Sequence, residues 1–539
     1  MFSTTLSQSS SLIRCHFPGR HTYRLAVATW ITAVLNIPLF QSLDSSLVVQ
    51  VGVLLWLLNG LIVYLFTPGK LLVPGTVVLL LTSSCASYFI YHYGTVIDRP
   101  MIQNVMETDM HEAMDLISWP MLMSVLAGAL PLVLVGKICQ GNRPAPQRIK
   151  FYALYLLIFG LGITSLALGN FQQYSGYFRQ HKQLKHLATP VNIITAGESY
   201  LRNNVLRQEM AFQTIATTVD VAPTTHQPSI VVVVLGETAR ADHFRANGYG
   251  RDTTPTLASD RLINFNDVSS CGTATAHSLP CMFSWLDQAH YEEATARASE
   301  NVLDVLQRGG IKVQWFDNNS GCKHVCDRID SVMYWQQPEC EDGCTDNVLL
   351  DGLRDFTRRV QREGGQGVVV LHQQGSHGPA YFKRSRVENK RFLPECRSET
   401  FSGCSTEEIV NAYDNSLVET GALLSGVTRY LEGLKTDAAM LYVSDHGESL
   451  GEGGVYLHGL PYWMAPQAQT HVPMMLWLSD GFAQSHSLDT DCISTLASKP
   501  QSHDLLFDSL LTLSDVTITT EQPVAGGLSQ CRNSQPHRS

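Results

Sequence analysis

The sequence predicts an α-helical membrane domain of five spans, followed by an α/β domain whose mainly parallel sheet is covered on both faces. Three observations predict it. Five long apolar runs fill the first third of the 539-residue chain, which is otherwise nearly free of charge. Beyond them, short runs of Val, Ile and Leu alternate with segments of helical character, the pattern of a doubly covered parallel sheet. Ten of the 13 cysteines lie in that second region. The length is too great for one core. The net charge of -10 comes with no block of Lys and Arg, so nucleic acid is not implied as a partner.

The apolar runs lie near Leu25–Phe40, Leu47–Phe66, Leu71–Tyr93, Ile117–Val135 and Phe151–Gly169. Each approaches or exceeds the roughly 20 residues that cross a bilayer as a helix. The first is not read as a cleaved signal peptide, because four more follow it. Its Asn36 and Pro38 make it the weakest of the five. Orientation follows from the basic residues. The N-terminal tail carries Arg14, Arg20 and Arg24. The second link holds Lys70, and the fourth holds Lys137, Arg143, Arg148 and Lys150. The third link, 94–116, carries Asp98, Glu107, Asp109, Glu112 and Asp115 against Arg99 alone. The N-terminus and the basic links are therefore expected in the cytoplasm, and everything after about Asn170 outside it.

Cysteine usage is a separate test of that topology. Cys271, Cys281, Cys322, Cys326, Cys340, Cys344, Cys396, Cys404, Cys492 and Cys531 all fall in the predicted outside region. An even number of closely spaced cysteines in an oxidising compartment reads as disulfides. Sequential pairing into five bridges is expected, although spacing alone does not fix connectivity. A cytosolic zinc cluster built on Cys322, Cys326, Cys340 and Cys344 is the rival reading, and the topology opposes it.

The expected domains are 1–170, the membrane spans; 171–227, interfacial helices and a linker; and 228–539, the α/β domain, for which the residues below imply a catalytic role. The second holds Phe178-Arg-Gln-His-Lys182, a helix around Glu198–Phe212 and a linker at Thr217–Gln227. In the third, strands are expected at Ile230–Leu235, Ile311–Phe316, Gly367–Leu371, Ala438–Val443 and Pro473–Leu478. Helices are expected at Thr254–Ser259, Asn301–Arg308, Asp346–Glu363, Ser405–Gly433 and His503–Leu513.

Ligands of such sheets bind beyond the carboxyl ends of the strands. Glu237, Asp445 and His446 each follow a strand-like run directly, which is the reason to group them. Oxygen and nitrogen donors of this kind suit zinc, with manganese the alternative. A hydroxyl needs a base or a metal to become a nucleophile. The loop Cys271-Gly-Thr-Ala-Thr-Ala-His-Ser-Leu-Pro-Cys281 offers Thr273 and Thr275, which sequence alone barely separates. Thr275 would stand at a helix start, where backbone N–H groups receive phosphate oxygens. His377 and His458 sit in glycine-flanked turns. His372, at a strand end, reads as a packing residue. Lys323 is as much a solvated loop lysine as a phosphate clamp.

The five spans, with GETAR (236–240), CGTATA (271–276), NNS (318–320), GSHGP (375–379), YVSDHGESLGE (442–452) and YLHG (456–459), resemble the lipid A phosphoethanolamine transferases, which include the mobile colistin resistance enzymes. The match runs in order along essentially the whole chain. The resemblance implies a periplasmic domain of alkaline-phosphatase or sulfatase type on a Gram-negative inner membrane. It implies Thr275 as nucleophile, joined by Glu237, Asp445 and His446 on one zinc, with a second zinc left open. His377 and His458 would line the phosphoryl site, holding that second zinc or protonating a leaving group. Asn319 and Lys323 would contact the donated group. Asn104, Thr108 and Glu112 would belong to a substrate-contacting loop, and a Cys271–Cys281 bridge agrees with the family. The expected reaction moves phosphoethanolamine from phosphatidylethanolamine through Thr275 to a phosphate of lipid A, in a monomer. Rival readings are transfer to core sugars or glucans, phosphoglycerol transfer, a membrane phosphodiesterase, and an inert sensor, which the intact ligand set disfavours.

Overall fold

The computed structural model describes residues 19–108, 110–137, 144–206, 210–222, 228–257, 261–340, 344–401, 403–434 and 436–533. The chain packs as two units. One comprises Met1–His92 with Trp119–Ala196, the other Tyr93–Ser118 with Gly197–Ser539. The acidic link between the third and fourth apolar runs thus belongs, by its contacts, with the α/β unit.

Among the described residues of the first unit, three helices are long and apolar enough to cross a membrane: Val48–Phe66, Gly69–Tyr93 and Ile149–Gly169. The last leaves Leu154, Leu157, Ile158, Leu161 and Leu168 exposed. Such a surface is costly in water and costs little against lipid. Two of the five expected spans are not continuous helices. The first is divided into Arg20–Ala33 and Ile37–Gln41. At the break, Asn36 Nδ2 donates to the carbonyls of Ile31 (2.9 Å) and Thr189 (2.7 Å), while the Thr189 N–H donates to Asn36 Oδ1 (2.8 Å). Side-chain bonds replace the helical ladder there, and Pro38 falls in the first turn of the next helix, where its missing N–H costs nothing. The fourth is a ten-residue helix, Trp119–Gly128, followed by a 3₁₀ segment, Leu130–Lys137. Pro131 stands at that change, and the Gly128 carbonyl accepts from Trp30 Nε1 (2.8 Å). A core of Tyr23, Val27, Ala28, Ile31 and Leu35 against Val63, Leu72, Leu79 and Leu80 holds these helices together.

The second unit is built on an eight-stranded sheet. Its order is Gln501–Ser502, Leu262–Ser269, His471–Leu478, Asp437–Ser444, Ser229–Gly236, Gln366–His372, Lys312–Asp317 and Asp330–Met333. Only His471–Leu478 runs against the rest. Ser229–Gly236 is buried along its whole length, as a central strand covered on both faces must be. All five expected strands are present. Leu262–Ser269 was not expected, because its Asn264, Asn266 and Asp267 interrupt the apolar pattern. Helix Leu349–Glu363 turns Leu349, Leu353, Phe356 and Val360 inward at helical spacing. Helix Thr406–Glu432 begins in a capping box in which Ser405 and Glu408 bond each other's backbone.

Three expectations need correction. Residues 254–257 form a turn rather than a helix, because nothing extends the pattern; 258–260 lie outside the described residues. The described part of the expected linker contains a strand, Thr218–Val221, paired antiparallel with Val516–Thr519. The expected helix at Glu198–Phe212 ends earlier, as Val191–Tyr200 with a π turn at Leu201–Val205. Among the described residues, the five disulfides are the sequential ones: Cys271–Cys281, Cys322–Cys326, Cys340–Cys344, Cys396–Cys404 and Cys492–Cys531.

Candidate catalytic and metal centre

Two neighbouring parallel strands deliver the acidic groups. Glu237 follows Ser229–Gly236, and Asp445 and His446 follow Asp437–Ser444. The third component is the loop closed by Cys271 and Cys281, and several bonds set its position. Ser278 Oγ donates to the Asp445 carbonyl (2.5 Å), and the Cys271 N–H donates to His503 Nδ1 (3.1 Å). His503 Nε2 in turn donates to the Ser444 carbonyl (2.9 Å), so the ring is neutral, and burial pushes its pKa down to about 3. Thr273 is fixed away from the centre, its Oγ1 donating to the Leu460 carbonyl (2.6 Å).

Thr275 opens the helix Thr275–Met282 and reaches the centre. Its Oγ1 lies 3.0 Å from Glu237 Oε2 and 3.3 Å from His446 Nε2. The choice between the two threonines that the sequence left open is thus made by position. Ligand atoms of Glu237, Asp445 and His446 lie within 4.8 Å of one another, and all three residues are buried.

The donor set has the form of a cation site. Each carboxylate has one oxygen bonded and one without a partner. Asp445 Oδ1 accepts from the N–H groups of His446 (2.7 Å) and Thr238 (3.3 Å), while Oδ2 has none. Glu237 Oε2 accepts from Asn319 Nδ2 (2.7 Å) and Thr275, while Oε1 has none. Both orphaned oxygens lie beside His446 Nε2, at 3.3 and 3.4 Å. His446 Nδ1 donates to the Gly447 carbonyl (2.9 Å), which leaves the Nε2 lone pair directed at the same point. Buried unpaired acceptors are costly unless something positive meets them. Without a cation, burial pushes the Asp445 carboxyl up to about 6 and the His446 ring down to about 4. Glu237 is raised by burial and by Asp445. The residues fit a metal ion with oxygen and nitrogen preference.

His377 and His458 stand beside this group. Their ring centres are 5.2 Å apart, and His458 is 4.4 Å from His446. His458 Nδ1 bonds Glu448 Oε2 (2.8 Å), and Tyr381 OH donates to Glu448 Oε1 (2.5 Å). Burial pushes Glu448 up to about 7. Neither Glu448 nor Tyr381 was singled out from sequence, although Glu448 lies inside the Asp-His-Gly-Glu run. The turn carrying His377 is tied down by buried Asp346, which accepts from the N–H groups of Gln374 (2.8 Å) and Gly375 (2.9 Å). Gly375 has φ +55°, and a Cβ there would fall 2.6 Å from the Glu237 carbonyl oxygen. Only glycine suits that position.

Asn319 holds Glu237. Lys323 Nζ bonds the Glu107 carbonyl (3.1 Å) and both Ser320 oxygens (3.0 Å each). Glu107 ends the helix Arg99–Glu107, which Asp98 caps and which packs on helix Thr275–Met282. Asn104 lies on that short helix, and Thr108 Oγ1 donates to its carbonyl (2.6 Å). The Glu112 side chain lies outside the described residues. Near His277, on the helix that Thr275 opens, a polar cavity of about 540 Å³ is lined by Arg99, Asn204, Tyr291, Glu293 and Arg297. His372, read from sequence as packing, is buried but fully hydrogen-bonded, to Asp317 (2.8 Å) and Asn319 (3.2 Å).

Comparison with known proteins gives consistent matches. A family model described as Sulfatase matches residues 229–516, and one described as Phosphoethanolamine transferase EptA/EptB matches residues 54–205. Phosphoethanolamine transferase EptA of Salmonella typhimurium is 38% identical over 469 residues, spanning 84% of this chain and 85% of its own. Phosphatidylethanolamine transferase Mcr-2 of Escherichia coli is 36% identical over 527 residues, 91% of this chain and 94% of its own. Among solved structures, the integral membrane lipooligosaccharide phosphoethanolamine transferase A (EptA) from Neisseria meningitidis is similar with a TM-score of 0.88 at 31% identity. That match covers 95% of this chain and 99% of the other.

Proposed function

The chain belongs to the lipid A phosphoethanolamine transferase family, and from that premise we propose that it moves phosphoethanolamine from phosphatidylethanolamine to a phosphate of lipid A. The observation that carries the reading is the Thr275 hydroxyl at a helix start, within hydrogen-bonding distance of Glu237 and His446. The chain would lie in the inner membrane of a Gram-negative cell as a monomer with five crossings, two of them broken helices, and with its α/β unit in the periplasm. Capping an anionic phosphate with an ammonium group weakens the attraction of cationic peptides such as colistin.

Zinc is the metal this donor set suits, held by Glu237, Asp445 and His446 with the Thr275 oxygen as fourth ligand. When bound, it supplies charge that lowers the hydroxyl pKa and stabilises the transferring phosphoryl oxygens. Thr275 Oγ1 forms a bond to phosphorus while the bond from phosphorus to the diacylglycerol oxygen breaks. The threonine proton, directed at Glu237 Oε2, ends on that departing oxygen, and His377 and His458 are the groups placed to carry it. An oxygen of the lipid A phosphate then bonds the same phosphorus, and Thr275 Oγ1 leaves and regains a proton from the attacking phosphate. The backbone N–H groups of Thr275 and Ala276, which open helix Thr275–Met282, would receive phosphoryl oxygens. We assign the donated headgroup to the side formed by Asn319, Lys323 and the segment carrying Asn104, Thr108 and Glu112.

Mass spectrometry of lipid A from cells expressing the chain tests this directly. A phosphoethanolamine-sized addition is expected with the intact chain and not with Thr275→Ala. Unmodified lipid A from well-expressed, folded protein would redirect the reading to a core-sugar or glucan acceptor. An addition that survives in the alanine variant would remove Thr275 from the mechanism.

A further inference from the structure

Three adjacent parallel strands end in a lateral chain of buried polar groups that leads to the metal-competent corner. In register, Asp317 faces His372 across one strand pair, and His372 faces Leu235 across the next, two residues before Glu237. Asp317 and His372 are both fully buried. Asp317 Oδ2 accepts from Trp315 Nε1 (2.8 Å) and bonds His372 Nδ1 (2.8 Å). Its Oδ1 accepts from the N–H groups of Asn319 (2.9 Å) and Gly321 (3.1 Å), so this carboxylate is satisfied and stationary.

The Asn319 amide nitrogen faces three groups: Glu237 Oε2 (2.7 Å), the Gln373 carbonyl (3.0 Å) and His372 Nε2 (3.2 Å). One hydrogen goes to Glu237 Oε2 and the other is shared between the Gln373 carbonyl and His372 Nε2; because an NH₂ group cannot accept, His372 Nε2 presents its lone pair. The imidazole proton is therefore on Nδ1, donated to Asp317. Asn319 is thus the donor toward both Glu237 and His372, and His372 is the donor toward Asp317.

We infer that Asp317 and His372 are positioning residues that act through Asn319 to hold Glu237 Oε2, leaving Oε1 as the atom offered to the metal. The inference rests on the metal reading above. Buried hydrogen-bonded groups that orient a ligand commonly affect metal affinity by about 10- to 100-fold. His372→Leu keeps the bulk and removes both bonds. His372→Gln keeps an acceptor for Asn319 and a donor for Asp317. Asp317→Asn keeps shape and removes the charge that fixes the imidazole proton.

The test is zinc affinity of the full chain purified in detergent, by competition with a chromogenic chelator, with thermal unfolding in excess zinc as a folding control. His372→Leu is expected to weaken zinc binding about 10- to 100-fold, His372→Gln to recover most of it, and Asp317→Asn to fall between. Wild-type affinity in His372→Leu would overturn the inference, as would equal losses in the Leu and Gln variants. If His372→Leu fails to fold, Asp317→Asn decides, and unchanged affinity there overturns the inference. Failure of the metal reading looks different: the wild-type chain itself would bind no zinc, or Glu237→Ala would bind it normally.

Discussion

Two charge clusters of the α/β unit, one buried and one partly exposed, lie near Thr275 and His277 respectively. At the strand ends, Glu237 and Asp445 bring two carboxylates to one imidazole, and two oxygens remain without partners. Around the cavity beside His277, two guanidiniums meet two carboxylates. Arg297 bonds Glu293 (2.7 Å) and Glu107 (3.2 Å), and Arg99 bonds Glu293 (3.4 Å). The second cluster balances its charges two against two, although Glu107 Oε2 and Arg297 Nε have no partner of their own. The first does so only when a cation is supplied. Charge left open in a buried place marks chemistry, whereas charge closed on itself marks assembly.

That contrast gives predictions in falling order of effect. Asp445→Asn removes half of the open charge while keeping the backbone bonds made by its other oxygen. Transfer to lipid A is expected to fall by roughly 1,000-fold or more, and near-normal turnover would place the metal elsewhere.

Acidity is the second lever. Asp445 and Glu448 are pushed by burial to about 6 and about 7, so in the metal-free fold they bind protons more tightly than when unfolded. The stability they lend is complete below about pH 4, near the unfolded carboxylate values, and is lost as pH rises through those folded values. His446, lowered to about 4, has the opposite sign, its contribution being lost as pH falls through that value. His503, pushed down to about 3, shares that sign and offsets the carboxylates, so the informative quantity is the difference in melting temperature with and without zinc. Zinc displaces the proton of its ligand Asp445, so the rise in melting temperature on adding zinc should widen from pH 5 to pH 7.5. A gap independent of pH would mean that the ligands are not titrating.

The smallest effect belongs to the closed cluster. Arg297→Leu leaves Glu293 paired with Arg99, and partly exposed pairs contribute about 1 kcal/mol or less. Transfer is expected to change by under about tenfold, in KM rather than kcat, because the helix carrying Asn104 is what shifts. A loss in kcat as large as that of Asp445→Asn would dissolve the distinction between the clusters.

The open cluster is also the part most legible in the sequence. Glu237, Asp445 and His446 each follow a run of buried apolar residues, and strand order brings two such ends together. Thr275 needed the fold, because the bond from Thr273 to Leu460 depends on a contact 187 residues away in sequence. The bond between Asp317 and His372 was unreadable for a similar reason. Their partners lie across the sheet, and a lateral contact leaves no periodic trace along the chain. The first apolar run showed its weakness in Asn36 and Pro38, but that Asn36 would bond Thr189 was not readable from either segment. Helix Thr406–Glu432, by contrast, announces itself through Ser405 and Glu408.

The disulfides bear on how the molecule is made. Every bridge joins a cysteine to the next one along this region, from Cys271–Cys281 to Cys492–Cys531. With this domain on the periplasmic side, as proposed above, a chain translocated N-terminus first would present each cysteine with its native partner before any wrong one has emerged. An oxidant acting in order of emergence needs no later reshuffling, and the Thr275 loop is the first part of this domain to be closed.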